Sequence, residues 1–209
     1  MESPFADRSM ITQQDRFFGR AAEKQAIFNA LAAPKPQCVS IIGERRIGRS
    51  SLLWHIKQTY GEALPNPQRY RFAYLDLTSD TCTTPAQFYG EVAQAFFGDR
   101  YDSLTPHQFN DLLADHRTAD QKYILLLDEF NVLQRRKYTF NDDFYDGLRA
   151  RANAGELAYV LASHLPLEQV AVENDFTSTF FGIFTSVDLG NFTPDEAHEA
   201  FLRPAISLE

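Results

Sequence analysis

Two short stretches carry residues whose types and spacing suit chemistry. The first, Gly43-Glu44-Arg45-Arg46-Ile47-Gly48-Arg49-Ser50-Ser51, sets two glycines five positions apart and follows them with a cation and two hydroxyls. Glycines in such a loop let successive backbone N–H groups curl around a phosphate, and a helix opening behind the loop presents its positive end. Ser50 then offers a hydroxyl to a Mg²⁺ ion accompanying the phosphate. The second stretch, "YILLLDEF", runs apolar residues into Asp128 and Glu129. Asp128 suits the Mg²⁺ shell, and Glu129 suits a general base that orients and activates an attacking water.

The first stretch follows the P-loop spacing, Gly-x-x-x-x-Gly-Lys-Ser/Thr, with one departure: Arg49 stands where the lysine belongs. A lysine places a compact ammonium between the β- and γ-phosphates. Arginine keeps the charge but presents a longer, planar fork, so the exchange is not conservative. Phosphate binding is therefore expected to survive, with Arg49 on the phosphates. Hydrolysis is expected to be weakened, because the fork sits differently while charge shifts in the transition state.

The elements that must position these residues read as alternating strands and helices. Ile27, Phe28 and Leu31 predict a helix over 21–33, stopped by "PKP" at 34–36. "CVSII" (38–42) is a short apolar strand, and Leu52, Leu53 and Ile56 predict a helix over 49–60. Further strands are expected at 71–77, 123–129, 158–163 and near 186–190, with helices at 85–97, 106–117 and about 142–152. A last helix, 193–201, opens with Thr193 as N-cap, Pro194 in the first turn and Glu196 three residues beyond the cap. Continuous apolar strands alternating with helices mean a parallel sheet covered on both faces. Residues 1–16 read as a polar arm, and 17–207 as the core. Leu208 and Glu209 read as a cloning scar before a purification tag, so the natural sequence is expected to continue past Ser207.

With 209 residues, 44% hydrophobic and 23% charged, the chain has the composition of an ordinary folded domain. No apolar run reaches the roughly 18–20 residues a membrane span needs. Two cysteines, Cys38 and Cys82, share no Cys-x-x-Cys spacing, so a reduced, cytoplasmic setting is expected. Cys38 would open a buried strand, whereas Cys82 falls in a polar loop. The net charge of −8 argues against broad nucleic-acid binding by this domain alone. Residues 152–202 hold eight acids and no Lys or Arg, a surface that a basic partner could face or that water simply solvates. The five histidines show no metal-ligand spacing, and Ser163–His164 lacks the Gly-x-Ser-x-Gly elbow of a hydrolase. Phe176, Phe180, Phe181, Phe184 and Phe192 are expected to pack beneath the last strand.

The segments "FFGRAAEKQAI" (17–27), "IIGERRIGRSSLL" (41–53), "LLLDEFNVL" (125–133), "YVLASHLPL" (159–167) and "FFGIFTSVDLGNFTPDEAHEAFLRPA" (180–205) resemble successive segments of the STAND and AAA-like signalling ATPases of prokaryotes. Those proteins lie in the additional-strand catalytic-glutamate branch of P-loop ATPases. The resemblance implies a three-layer α/β fold, a five-stranded parallel sheet ordered 5-1-4-3-2, and an ATP-driven switch using Mg²⁺. It implies that Phe18, Gly19 and Arg20 lie near the adenine, and that Ser163 is the polar sensor of the γ-phosphate. It also implies a lid domain after the fifth strand and, in ring-forming machines, an arginine finger shortly before that strand. Residues 152–202 contain no arginine, which favours a switch or scaffold over a hexameric motor.

Three readings follow: a nucleotide-dependent signalling switch binding ATP and ADP; a non-hydrolysing P-loop scaffold or nucleotide sensor; and a DNA-associated helper ATPase of the initiator or transposition type. Protein partners or additional domains belong to each. No Asn/Thr-Lys-x-Asp guanine-reading motif occurs, which favours ATP over GTP.

Overall fold

The computed structural model of the chain describes residues 9–118 and 120–198. Five strands form one sheet: β1 (Cys38–Gly43), β2 (Tyr70–Asp76), β3 (Lys122–Asp128), β4 (Leu157–Ser163) and β5 (Phe184–Leu189). Their order is β2-β3-β4-β1-β5 with every pair parallel, which is the expected 5-1-4-3-2 arrangement read from its other edge. The helices are α1 (Ala21–Ala32), α2 (Arg49–Ala63), α3 (Pro85–Phe97), α4 (Pro106–His116), α5 (Asn131–Gln134), α6 (Asp142–Asn153) and α7 (Leu167–Glu173).

Local sequence explains most of these boundaries. Thr84 and Thr105 each accept from the backbone N–H three residues on, and Gln87 and Gln108 reach back to close reciprocal capping boxes. Pro follows each cap at the first helical position, where no N–H is needed. Gly98, at φ 87°, ends α3 in the left-handed conformation. Every residue of β4 is buried, and so is nearly every residue of β3, as apolar strands covered on both faces require. The edge strand β5 is instead partly exposed, with Thr185, Ser186 and Asp188 accessible.

An aromatic cluster fills the space between α6, the 3₁₀ turn at Thr179–Gly182 and the sheet. Tyr145 stacks on Phe180 at 5.6 Å between ring centroids, Phe176 stacks on Phe181 at 5.1 Å, and Phe180 meets Phe184 edge-on at 5.0 Å. The phenylalanines between 176 and 184 thus serve the core, as expected. Phe192 lies apart, partly exposed under the Arg20 guanidinium.

Some features differ from expectation. Helices α5 and α7 were not signalled by the sequence: each is short and has no side-chain cap. Cys82 is fully buried rather than in an open polar loop, and its carbonyl accepts a hydrogen bond from Arg136 Nη1 at 2.9 Å. Residues 194–198 are helical behind the Thr193–Glu196 cap. The rest of that helix, residues 1–8 of the arm and the 208–209 pair lie outside the described residues.

Strand register places the chemistry. Ile42 pairs with Ser163, Leu127 with Leu161, and Asp76 with Asp128. The carboxyl ends of β1, β3 and β4 therefore emerge side by side. β1 lies between β4 and β5, so the chain's first connection leaves the sheet where strand order reverses, the place where open α/β sheets bind ligands.

Candidate functional site

The loop 44–48 leaves β1 at Gly43 and enters α2 at Arg49. Gly43 is required by proximity: a Cβ there would stand 2.8 Å from Ile47 Cγ2 and 3.1 Å from Leu189 Cβ. Gly48 is required by backbone, at φ 105°, and as N-cap it offers no side chain to the first turn of α2. The N–H groups of that turn consequently have no side-chain cap. Glu44, Arg45 and Arg46 are exposed, and Ile47 is half-buried with its N–H on the Glu44 carbonyl at 3.3 Å.

Arg49 opens α2 and is only 7% exposed. Its Nη2 lies 3.4 Å from His164 Nε2, whereas its buried Nη1 has no hydrogen-bond partner. Burial pushes the guanidinium pKa down, while Glu129 and then Asp128 pull it back up. Arginine still remains a cation. The first turn of α2 thus holds a buried cation with one end unpartnered.

Ser50, next on α2, donates its hydroxyl to Asp128 Oδ1 at 3.1 Å. Asp128 is 4% exposed and collects two more donors, the Tyr74 hydroxyl on Oδ2 at 2.7 Å and the Glu129 N–H on Oδ1 at 2.9 Å. A hydroxyl and a carboxylate are oxygen ligands of the kind a hard cation such as Mg²⁺ takes. Tyr74 lies on β2 and its phenol pKa is raised, by burial first and then by the Asp128 charge. It therefore stays protonated and acts as a donor. Ser51 faces the other way, and its hydroxyl accepts the Ile11 N–H at 3.0 Å. Thr12 O accepts from Trp54 Nε1 at 3.2 Å, so residues 11–12 lie along α2.

Glu129 follows β3 in the left-handed region, φ 52°. That conformation costs a non-glycine residue roughly 1–2 kcal/mol, and it turns the chain sharply between Asp128 and α5. Glu129 Oε2 lies 4.0 Å from His164 Nε2. Ser163, the expected sensor, is buried, and its hydroxyl closes a local turn by donating to the Leu165 carbonyl at 2.8 Å. His164 is the residue that reaches both Arg49 and Glu129. Burial first, then the Arg49 charge, lowers its pKa; Glu129 opposes this, and Arg45 and Arg135 reinforce it.

Phe18 is half-buried and Gly19 lies in the left-handed region at φ 66°. A Cβ on Gly19 would meet the Glu196 carboxylate at 2.8 Å. Arg20 is 5% exposed and clasps three places at once. Its Nη2 donates to the Ile47 carbonyl of the loop at 3.2 Å, its Nη1 pairs with Glu23 at 3.1 Å, and its guanidinium lies 4.5 Å from the Phe192 ring centroid. Its backbone N–H donates to Glu196 Oε1 at 2.6 Å.

Sequence reasoning missed His164 and Tyr74 as members of the site. His164 follows the fourth strand directly, which is a signal in principle. Tyr74 carries none, because only sheet register brings it to Asp128.

A family model described as an AAA domain matches residues 34–170, well over half of the chain. The chain belongs to the AAA domain family. No curated protein matches it. Among solved structures, this AAA domain is similar to the Orc1 protein of Aeropyrum pernix in complex with DNA (TM-score 0.68, 16% identity, 98% of this chain and 52% of that one). It is similar also to a Walker-type ATPase of Pyrococcus abyssi (0.67, 18%, 97% and 62%) and to Cdc6p from Pyrobaculum aerophilum (0.61, 16%, 94% and 52%). The chain thus spans about half to three-fifths of those proteins, and the likeness is one of fold. Among the described residues no helix is long and apolar enough to cross a membrane.

Proposed function

We propose that this AAA domain binds Mg-ATP on the 43–51 loop and serves as the nucleotide-dependent switch of a signalling protein, with slow hydrolysis. The observation that carries the reading is Arg49: a buried cation with an unpartnered Nη1 at the opening of α2. On this reading the loop N–H groups and Arg49 take the phosphates, while Ser50 and Asp128 hold Mg²⁺. The ion would supply charge neutralisation on the phosphate oxygens. Glu129 would orient and deprotonate the attacking water. Phe18, Gly19 and Arg20 would line the base side, with Arg20 also fastening the loop through Ile47. Calorimetric titration with Mg-ATP tests the reading beside Arg49→Ala and Glu129→Gln. Binding is expected in the wild type and in Glu129→Gln, and is expected to vanish in Arg49→Ala. Equal binding by all three would remove Arg49 from the site.

A second reading, a DNA-associated helper ATPase, is favoured by one finding: the Aeropyrum pernix Orc1 protein was solved in complex with DNA. The net charge of −8 weighs against it for this domain alone. A salt-sensitive mobility shift on duplex DNA by the natural full-length protein would support it, and its absence at low salt would remove it.

A further inference from the structure

Arg49 poses a problem that a lysine would not. A guanidinium is a planar fork, so its hydrogen bonds form only when the plane is turned correctly. We propose that His164 is the positioning residue that turns it: the imidazole accepts from Nη2 and thereby aims Nη1 at the phosphate site. This inference rests on the reading that the loop takes a nucleotide.

The geometry assigns the imidazole's state. Arginine has donors and no acceptor. The 3.4 Å contact from Nη2 therefore makes Nε2 the lone-pair nitrogen and places the ring proton on Nδ1. Nε2 also faces Glu129 Oε2, at 4.0 Å. A carboxylate can bond to Nε2 only if that nitrogen carries a proton, and a protonated Nε2 has nothing to accept with. One atom thus chooses between Arg49, when Nε2 carries the lone pair, and Glu129, when Nε2 carries a proton in either the Nε2–H tautomer or the charged ring. Of the groups that bear on it, burial, Arg49 on α2, Arg45 in the loop and Arg135 beyond α5 favour the neutral ring, and Glu129 alone favours the charged one.

The division of labour also accounts for the fork itself. Nη2 is held by His164, and Nη1 is buried without a partner. A lysine has a single nitrogen for both tasks. An arginine can be anchored at one end and bind at the other. Ser163 contributes by keeping its hydroxyl in the Leu165 turn, which fixes the chain on both sides of His164.

The test is a mutant cycle read with Mg-ATP, joined to a measurement that needs no nucleotide. His164→Ala is expected to weaken Mg-ATP about tenfold, the size of one lost charge-assisted hydrogen bond. His164→Gln, whose side-chain carbonyl can still accept from Nη2, is expected to recover most of that loss. In an Arg49→Lys background the alanine change is expected to have no effect. An equal loss in both backgrounds would overturn the proposal, since His164 would then act without Arg49. The independent arm is ¹⁵N spectroscopy of the histidine side chains without nucleotide. Nδ1–H is expected for His164, and the Nε2–H tautomer at neutral pH would overturn the proposal. Absent Mg-ATP binding by the wild type would defeat the nucleotide reading, and the tautomer would still decide the Arg49–His164 pairing.

Discussion

Ser50 and Asp128 stand 78 positions apart, and the Ser50 hydroxyl donates to Asp128 Oδ1 at 3.1 Å. The bond joins the first turn of α2 to the end of β3, the two elements between which a phosphate-bound cation would sit. Asp128 receives three donors, from Ser50, Tyr74 and the Glu129 backbone.

Asp128→Asn turns one acceptor oxygen into an NH₂ group facing a donor. It is expected to cost about 1–3 kcal/mol of stability, the penalty for a buried polar group left without a proper partner. It is also expected to reduce nucleotide affinity by at least about tenfold when Mg²⁺ is present, with a much smaller change in chelator. Titration with and without Mg²⁺ separates the two effects. An equal loss in both conditions would remove Asp128 from the cation shell.

Glu129 occupies φ 52°, a conformation that glycine adopts without steric cost. Glu129→Gly is therefore expected to leave stability within about 1 kcal/mol of the wild type while abolishing ATP turnover. Denaturant unfolding and a phosphate-release assay check the pair of outcomes. Undiminished turnover would show that the carboxylate is not the base.

Acid is expected to destabilise the fold from about pH 6.5 downward, near the ordinary histidine pKa. His55 and His164 both have pKa values lowered first by burial. The unfolded chain takes up protons at these sites before the native protein does, so stability falls as pH drops through this window. His55→Phe keeps a ring for Phe17 to stack on, now 4.1 Å between centroids, and His164→Gln keeps an acceptor. The double variant is expected to show a flatter stability profile between pH 7 and 5.5. An unchanged slope would assign the effect to other groups.

Glu196 caps two chain segments with one carboxylate: Oε2 accepts from the Thr193 N–H at 2.9 Å, and Oε1 from the Arg20 N–H at 2.6 Å. Those bonds hold its pKa below the usual carboxylate range. The stabilisation is present above the unfolded carboxylate value of about 4.3 and is lost as pH falls through the lower native value. Glu196→Ala is expected to cost about 1–2 kcal/mol, read from chemical denaturation at pH 7. No measurable cost there would show the clasp to be incidental.

Much of this arrangement was legible in the chain. The apolar runs at 123–128 and 158–163 became fully covered central strands, since only a sheet buried on both faces tolerates such runs. The glycine spacing and the strand-then-helix context placed the 44–48 loop between β1 and α2, and the apolar run of 123–127 placed the Asp128–Glu129 pair at a strand end. The short helices α5 and α7 were not legible. Neither has the cap or the repeated turns that make a helix visible in one dimension, and packing of Leu133 and Val170 into the core holds them.

By itself the sequence determined the parallel α/β sheet, the loop around Gly43 and Gly48 and the acids at the end of β3, because those depend on periodicity and on neighbours along the chain. Only the tertiary structure decided the partners. Tyr74 reaches Asp128 because β2 and β3 pair in one register, and His164 rather than Ser163 meets Arg49 because the Ser163 hydroxyl turns back to Leu165. Arg20 meets both Ile47 and Glu196 because α1 starts where the loop and the segment after β5 converge. Apart from the local Ser163–Leu165 turn, each of these contacts joins residues separated by tens of positions, and their distances are set by strand register and helix packing, quantities that no local pattern of residues contains.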